Sequence, residues 1–186
     1  MTTILDLSGS LRQGSYNSAL LRAAATLMPQ GSHLAIGTIA GIPLYHGDLE
    51  AAQGLPEAVV RLKDAIRACD GLLLATPEYN NSISGVFKNA IDWASRPNAD
   101  IPGVFGGRPV AIMGASPGAF GTLLGQDAWL PVLRTLGVQL WSEGRLLLPR
   151  AHQAFDEDGM LADPAMIERL RTFMAGFVAF VDRCRR

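Results

Sequence analysis

Apolar and polar positions follow two rhythms along the chain. Short apolar runs occupy residues 3–7, 33–39, 71–76, 109–114 and 138–148, and each reads as a strand. The first, third and fourth lack in/out alternation, which suits strands of a parallel sheet covered on both faces. Between these runs, apolar residues recur every three or four positions. Residues 17–28 carry Leu20, Leu21, Ala24 and Leu27, and Pro29-Gln30-Gly31 ends that pattern. Residues 55–68 repeat at Val59, Leu62 and Ile66, and residues 84–94 align Val86, Phe87, Ala90, Ile91 and Ala94 in one stripe. Residues 121–136 and 164–181 complete the set, the last with Ile167, Leu170, Phe173, Phe177 and Phe180. The order βαβαβαβαβα predicts a doubly wound α/β sandwich, with right-handed crossovers placing helices on both faces. No repeat, low-complexity tract or linker divides the chain, so residues 1–186 read as a single domain.

Composition narrows the function. The 186 residues carry 16 Lys+Arg against 17 Asp+Glu, a net charge of −1, and 48% are hydrophobic. High apolar content with near-zero charge excludes a disordered chain. The missing basic excess argues against a nucleic-acid partner. Cys69 and Cys184 make neither a disulfide framework nor a C-x-x-C pair. No signal-peptide pattern opens the chain, and no apolar run is long enough to span a bilayer. These features lead us to expect a cytoplasmic protein.

Ligands of such a sheet bind outside the carboxyl ends of the strands, near the switch point. Three loops are therefore the places to look, and several of the 20 glycines lie on or beside them. The first runs Ser8-Gly9-Ser10-Leu11-Arg12-Gln13-Gly14-Ser15-Tyr16-Asn17 into a helix. A helix N-terminus offers free N–H groups and partial positive charge to an anion. Ser10, Ser15 and Asn17 add neutral donors, and Arg12 adds a forked cation. A lone Ser15 would read as a helix cap; four polar groups converging after a buried strand read as a mononucleotide phosphate cradle. The loop is not G-x-G-x-x-G, Ile39-Ala40 stand where a dinucleotide site needs an acid, and no G-x-x-x-x-G-K-[ST] is present. The second loop, Thr76-Pro77-Glu78-Tyr79-Asn80-Asn81, sets a π-face and several polar groups beside that cradle, suited to a flat heterocycle.

Gly9-Ser10-Leu11-Arg12 with Ser15 and Asn17, then Pro77-Glu78-Tyr79-Asn80, then Gly85 and Lys88-Asn89-Ala90-Ile91-Asp92-Trp93, resemble the NADPH-dependent FMN reductase family. The resemblance runs from Ile4 to about Pro149 and implies a flavodoxin-like three-layer sandwich, with a five-stranded parallel sheet in the order 2-1-3-4-5. It also implies an FMN-containing enzyme that takes hydride from NADPH or NADH and reduces quinones, flavins, azo dyes or metal oxyanions such as chromate. Ser10, Leu11, Arg12, Ser15, Tyr16 and Asn17 would hold the phosphate and ribityl tail. Pro77, Glu78, Tyr79 and Asn80 would border the ring, flanked by Ala115, Ser116 and Gly118 of the third loop. The cofactor would carry the chemistry, so no acid/base residue is assigned. A homodimer or homotetramer is a further implication.

Two other readings compete. A flavodoxin-type electron carrier would bind FMN without NAD(P)H activity, but carriers of that type are strongly acidic and this chain is not. Gly114-Ala115-Ser116-Pro117-Gly118 also matches the G-x-S-x-G nucleophile elbow of serine hydrolases. Pro117 argues against Ser116 as that nucleophile, because the oxyanion hole needs the N–H that proline lacks. His33, His46 and His152 are scattered without metal-ligand spacing, and 156–159 reads as a solvated turn. Arg183, Arg185 and Arg186 are expected to complement the dipole of the last helix. Cys69 reads as a core residue; Trp129, with Leu130, Leu133 and Leu136, reads either as core or, together with Trp141, as a subunit contact.

Overall fold

A computed structural model describes residues 1–185, and the expectation for Arg186 lies outside them. The elements run β1 (Thr2–Ser8), α1 (Tyr16–Thr26), β2 (Ser32–Ile36), α2 (Gly47–Gln53), α3 (Glu57–Ala68) and β3 (Gly71–Ala75). A hairpin follows, β4 (Glu78–Tyr79) and β5 (Ser82–Ile83), then α4 (Gly85–Ala94) and a 3-10 turn (Asn98–Asp100) leading into α5 (Ile101–Val104). The chain closes with β6 (Pro109–Ala115), α6 (Leu123–Leu136), β7 (Gln139–Leu140), β8 (Leu146–Leu148), α7 (Ala151–Ala154) and α8 (Pro164–Cys184).

The main sheet is parallel in the order β2-β1-β3-β6, with β7 and β8 both on the outer side of β6. This is the expected 2-1-3-4-5 order, with one difference. The expected fifth strand is cut in two, β7 pairing with the start of β6 and β8 with its end. At the break Trp141 packs inward against Phe173 and Phe177, with ring centroids 5.1 and 5.7 Å away. A Cβ at Gly144 would lie 2.2 Å from its indole, and one at Gly176 2.8 Å, so two glycines make room for the ring.

Burial follows the pleat of β1. Ile4 points into the core under α1 and α8, while Leu5 and Leu7 point into the core under α3, α4 and α6. β3 and β6 are buried along their whole length, which explains their unbroken apolar runs. Short α2 has no buried residue and so left no apolar stripe in the sequence. Before α8, the one helix whose apolar period the sequence shows in this region, stand α7 and a bridge between Phe155 and Leu161.

The suggestion that Trp129 and Trp141 make subunit contacts is corrected, because both are core residues. Trp129 packs edge-on against Phe87 at 5.0 Å, and its indole N–H donates to Thr76 Oγ1 at 3.0 Å. Arg183 and Arg185 pair with Glu143 and Asp70. No helix among the described residues is long and apolar enough to cross a membrane.

Candidate functional site

β1 delivers the chain to the carboxyl edge of the sheet, where residues 9–15 turn it into α1. Gly9 is held by its N–H to the Ala75 carbonyl (2.9 Å) and by the Ser84 hydroxyl donating to its own carbonyl (2.6 Å). A Cβ there would stand 2.3 Å from Phe87 and 2.7 Å from Pro77, so only glycine permits this approach between the first and second loops. Ser10 Oγ accepts from the Arg12 N–H at 3.3 Å. Ser15 does cap α1, its oxygen accepting from the Ser18 N–H at 3.3 Å, and its hydroxyl proton stays available to a ligand. The N–H groups of Tyr16 and Asn17, in the first turn, have no acceptor within the helix. With the positive end of the helix dipole they form an anion site. The exposed Arg12 guanidinium reaches only the Gly14 carbonyl, at 3.5 Å, and enters no ion pair among the described residues. It is free to fork onto a phosphate.

Asn17 faces inward. Its Nδ2 donates to the Ala115 carbonyl at 3.0 Å, and its Oδ1 accepts from the Ala115 N–H at 2.9 Å. The amide of Asn17 and the backbone of Ala115, both expected at a cofactor, are thus spent on each other and clamp the first loop to the third. The Ser116 hydroxyl donates to the Gly121 carbonyl at 2.5 Å, and its N–H donates to the Leu148 carbonyl at 3.1 Å. Among the described residues no histidine lines the cleft, and Pro117 supplies no N–H, so the hydrolase reading lacks both its base and its oxyanion donor.

The second loop is a two-residue hairpin, with Glu78 opposite Ile83 and Tyr79 opposite Ser82. Asn80 and Asn81 sit at φ 51° and 63°, a type I′ geometry that asparagine tolerates. The turn displays Tyr79 to solvent. Glu78, in contrast, accepts from the Gly125 N–H at 2.8 Å, placing its carboxylate at the positive end of α6. Further on, Lys88 and Asp92 pair with each other at 2.7 Å. Asn89 and Trp93 both donate to the Pro43 carbonyl at 2.9 Å, bracing a neighbouring loop rather than lining the site.

Together the loops enclose a shallow cleft of about 70 Å³. Ser10, Arg12, Ser15, Tyr16 and Asn17 form one wall; Pro77, Glu78 and Tyr79 a second; Ala115, Ser116 and Pro117 a third. Three expected residues do not line it. Leu11 faces a neighbouring cavity, Asn80 occupies the hairpin tip, and the Gly118 carbonyl accepts from the Arg150 N–H at 3.0 Å. Pro117 lines the cleft and was missed; its place between Ser116 and Gly118 was the available signal.

Asp6 also escaped the sequence reading, hidden within an apolar run of β1. It is 4% exposed, and burial pushes its carboxyl up to about 6, the Gly37 backbone N–H pulling the other way. The folded chain keeps this proton to about pH 6, whereas the unfolded chain releases it near 3.8. The stability Asp6 contributes is therefore full below 3.8 and lost as pH rises through 6. A shift of this size corresponds to about 3 kcal/mol at pH 7. Asp6→Asn is expected to raise Tm at pH 7 by roughly 5–10 °C. Thermal unfolding at pH 4 should show little of that gain; equal gains at both pH values would refute the assignment.

The family model for NADPH-dependent FMN reductases matches residues 2–153. An NAD(P)H-dependent FMN reductase of Pseudomonas aeruginosa is 45% identical over 182 residues, 98% of this chain and 96% of that protein. A 2-hydroxy-1,4-benzoquinone reductase of a Burkholderia species is 38% identical over 173 residues, 93% of this chain and 92% of that one. Among solved structures, the flavoenzyme NAD(P)H:(acceptor) oxidoreductase FerB of Paracoccus denitrificans superposes with a TM-score of 0.87 at 34% identity, covering 98% of both chains. The matched segment spans all three loops of the cleft, and the sheet order agrees: the chain belongs to the NADPH-dependent FMN reductase family.

Proposed function

We propose that this flavin oxidoreductase draws reducing equivalents from NAD(P)H and delivers them to a small acceptor, a quinone first among the classes expected from its sequence. One observation carries the site assignment. An unpaired cation, Arg12, and the open N-terminus of α1 sit at one end of a cleft whose other walls carry Pro77, Tyr79 and Pro117. That donor set fits a flavin mononucleotide, with its anionic end separated from a flat, largely apolar end. FMN, when bound, supplies the acceptance and delivery of hydride.

The remaining work belongs to the chain. Arg12, Ser10, Ser15 and the first-turn amides of α1 neutralise and orient the phosphate end. Pro77 and Pro117 offer ring surfaces without N–H groups, while Tyr79 on its braced hairpin borders the open side. The Asn17–Ala115 clamp and the Glu78–Gly125 bond keep the three walls in register. The quinone-reductase names of relatives at 38% and 33% identity support the choice of acceptor.

The cleft of about 70 Å³ encloses only part of a three-ring heterocycle, so the rest of the ring would stand at an open rim unless another surface covers it. This supports the homodimer or homotetramer in the proposal, as do the exposed Phe120, Leu124 and Leu130 around α6. The proposal sets the enzyme in the cytoplasm, in keeping with its two free cysteines. The test is oxidation of NADPH or NADH by the FMN-loaded protein with a benzoquinone acceptor. Turnover well above that of free FMN is expected. Flavin binding without such turnover would support an electron carrier instead.

A further inference from the structure

On the side of the phosphate cradle away from Pro77 and Pro117 lies a second, larger cavity of about 520 Å³, between α1 and the end of edge strand β2. Its size falls within the roughly 300–1,000 Å³ typical of small-molecule sites. Ser10 belongs to both cavities, so the two are contiguous across one residue. Leu21 and Ala25 of α1 form one wall, and Ile36 and Ile39 form the other. Ile36 is 85% exposed, a large apolar side chain at the rim with nothing over it.

The floor holds Asp6. Its strand neighbours Leu5 and Leu7 point into the opposite core, so Asp6 faces the α1 side, where it meets the cavity instead of packed side chains. Burial opposes ionisation there, and of its neighbours only the Gly37 N–H favours the charged form. A buried carboxyl without a cationic partner costs stability, and a donor brought by a ligand would recover it. At the wall, Arg22 is exposed and in no ion pair among the described residues.

Register adds a second, independent argument. Asp6 is the strand partner of Ile36, the last residue of β2. In dinucleotide-binding α/β folds, an acid at the carboxyl end of the second strand accepts hydrogen bonds from a ribose diol. The sequence has no such acid on β2 itself. The structure brings one to the same level from the neighbouring strand.

We propose that this cavity is an adenosine-phosphate site. The purine lies between the aliphatic side chains of α1 and those at the end of β2. Asp6 accepts from the ribose hydroxyls, and Arg22 meets phosphate at the mouth. The same chemistry could arrive as the adenylate half of FAD, as the adenosine end of NADH, or as a free adenine nucleotide.

The test is calorimetric titration of the FMN-loaded protein with AMP. The expected result is one AMP per chain. Ala25→Trp, which fills the cavity from an exposed helix position, should abolish binding, and Asp6→Asn should weaken it at least tenfold. Flavin absorbance should stay unchanged in both variants, so the cofactor cleft and this cavity are read separately. Three further arms identify the source. Competition of NAD⁺, whose adenosine ribose keeps both hydroxyls, with AMP, together with a raised KM for NADH in Ala25→Trp, assigns the site to the nicotinamide cofactor. Tighter retention of FAD than of FMN by the apoprotein, with loss of AMP binding once FAD is loaded, assigns it to FAD. AMP binding affected by neither assigns it to a free nucleotide. Absence of AMP binding at millimolar concentration, or binding that Ala25→Trp leaves unchanged, overturns the proposal.

Discussion

An Arg12→Ala, Ser15→Ala double variant is expected to bind FMN about 30- to 1,500-fold more weakly than the parent chain. Among the described residues Arg12 is the one cation lining the cleft, and its guanidinium has no competing carboxylate. A charge-assisted contact of that kind contributes about 1.5–3 kcal/mol, and a neutral hydroxyl about 0.5–1.5 kcal/mol. With tenfold in affinity for each ~1.4 kcal/mol, the sum gives the stated range. The fold should survive, because Arg12 is exposed and the lost cap of Ser15 costs only ~1 kcal/mol. Flavin fluorescence titration of the apoprotein measures the effect, with circular dichroism as the control for folding. Full FMN affinity in a folded double variant would refute the cradle and move the phosphate elsewhere.

The largest expected loss of stability comes from Asn17→Leu. Leucine keeps the γ-branched shape of asparagine, with somewhat more bulk, but has neither the donor nor the acceptor that Ala115 uses. Ala115 is buried, so its N–H and carbonyl would be left without partners. Each unsatisfied buried group costs ~1–3 kcal/mol, which sets the loss for the two at about 2–6 kcal/mol. For a chain of this size, Tm should fall by roughly 5–20 °C. Because the clamp joins the first loop to the third, FMN affinity should fall as well, although the Asn17 amide itself is spent on Ala115. Asn17→Ser, which retains a short polar group, should lose less. An unchanged Tm in Asn17→Leu would show that water or a relaxed backbone satisfies Ala115.

These two variants separate what local sequence carries from what it does not. Arg12 and Ser15 stood out because their signals are local: a short polar loop, two glycines, and the start of an apolar helical stripe. Asn17 was legible only as a polar residue near a helix start. Its actual partner lies 98 positions away, and nothing in its spacing shows whether its amide meets a ligand or a backbone. Glu78 is the same case, since a carboxylate after a strand reads as solvated until α6 brings the Gly125 N–H to it. Asp6 was masked by its apolar neighbours. The Trp141 break in the last strand was masked too, because room for an indole depends on glycines from two different elements, Gly144 and Gly176.

The sequence by itself determined the order of strands and helices, the parallel character of the sheet, and the edge where ligands gather. Those properties rest on residue period, strand burial and backbone chirality, all of which act over a few positions at a time. The tertiary structure decided which polar groups remain free. It spent Asn17, Ala115, Ser116 and Glu78 on holding the walls together, left Arg12 and the first turn of α1 open, and placed Asp6 at the floor of an adjoining cavity. Hydrogen bonds saturate, so a group committed to the fold has less to offer a ligand, and that competition is settled only when distant segments meet.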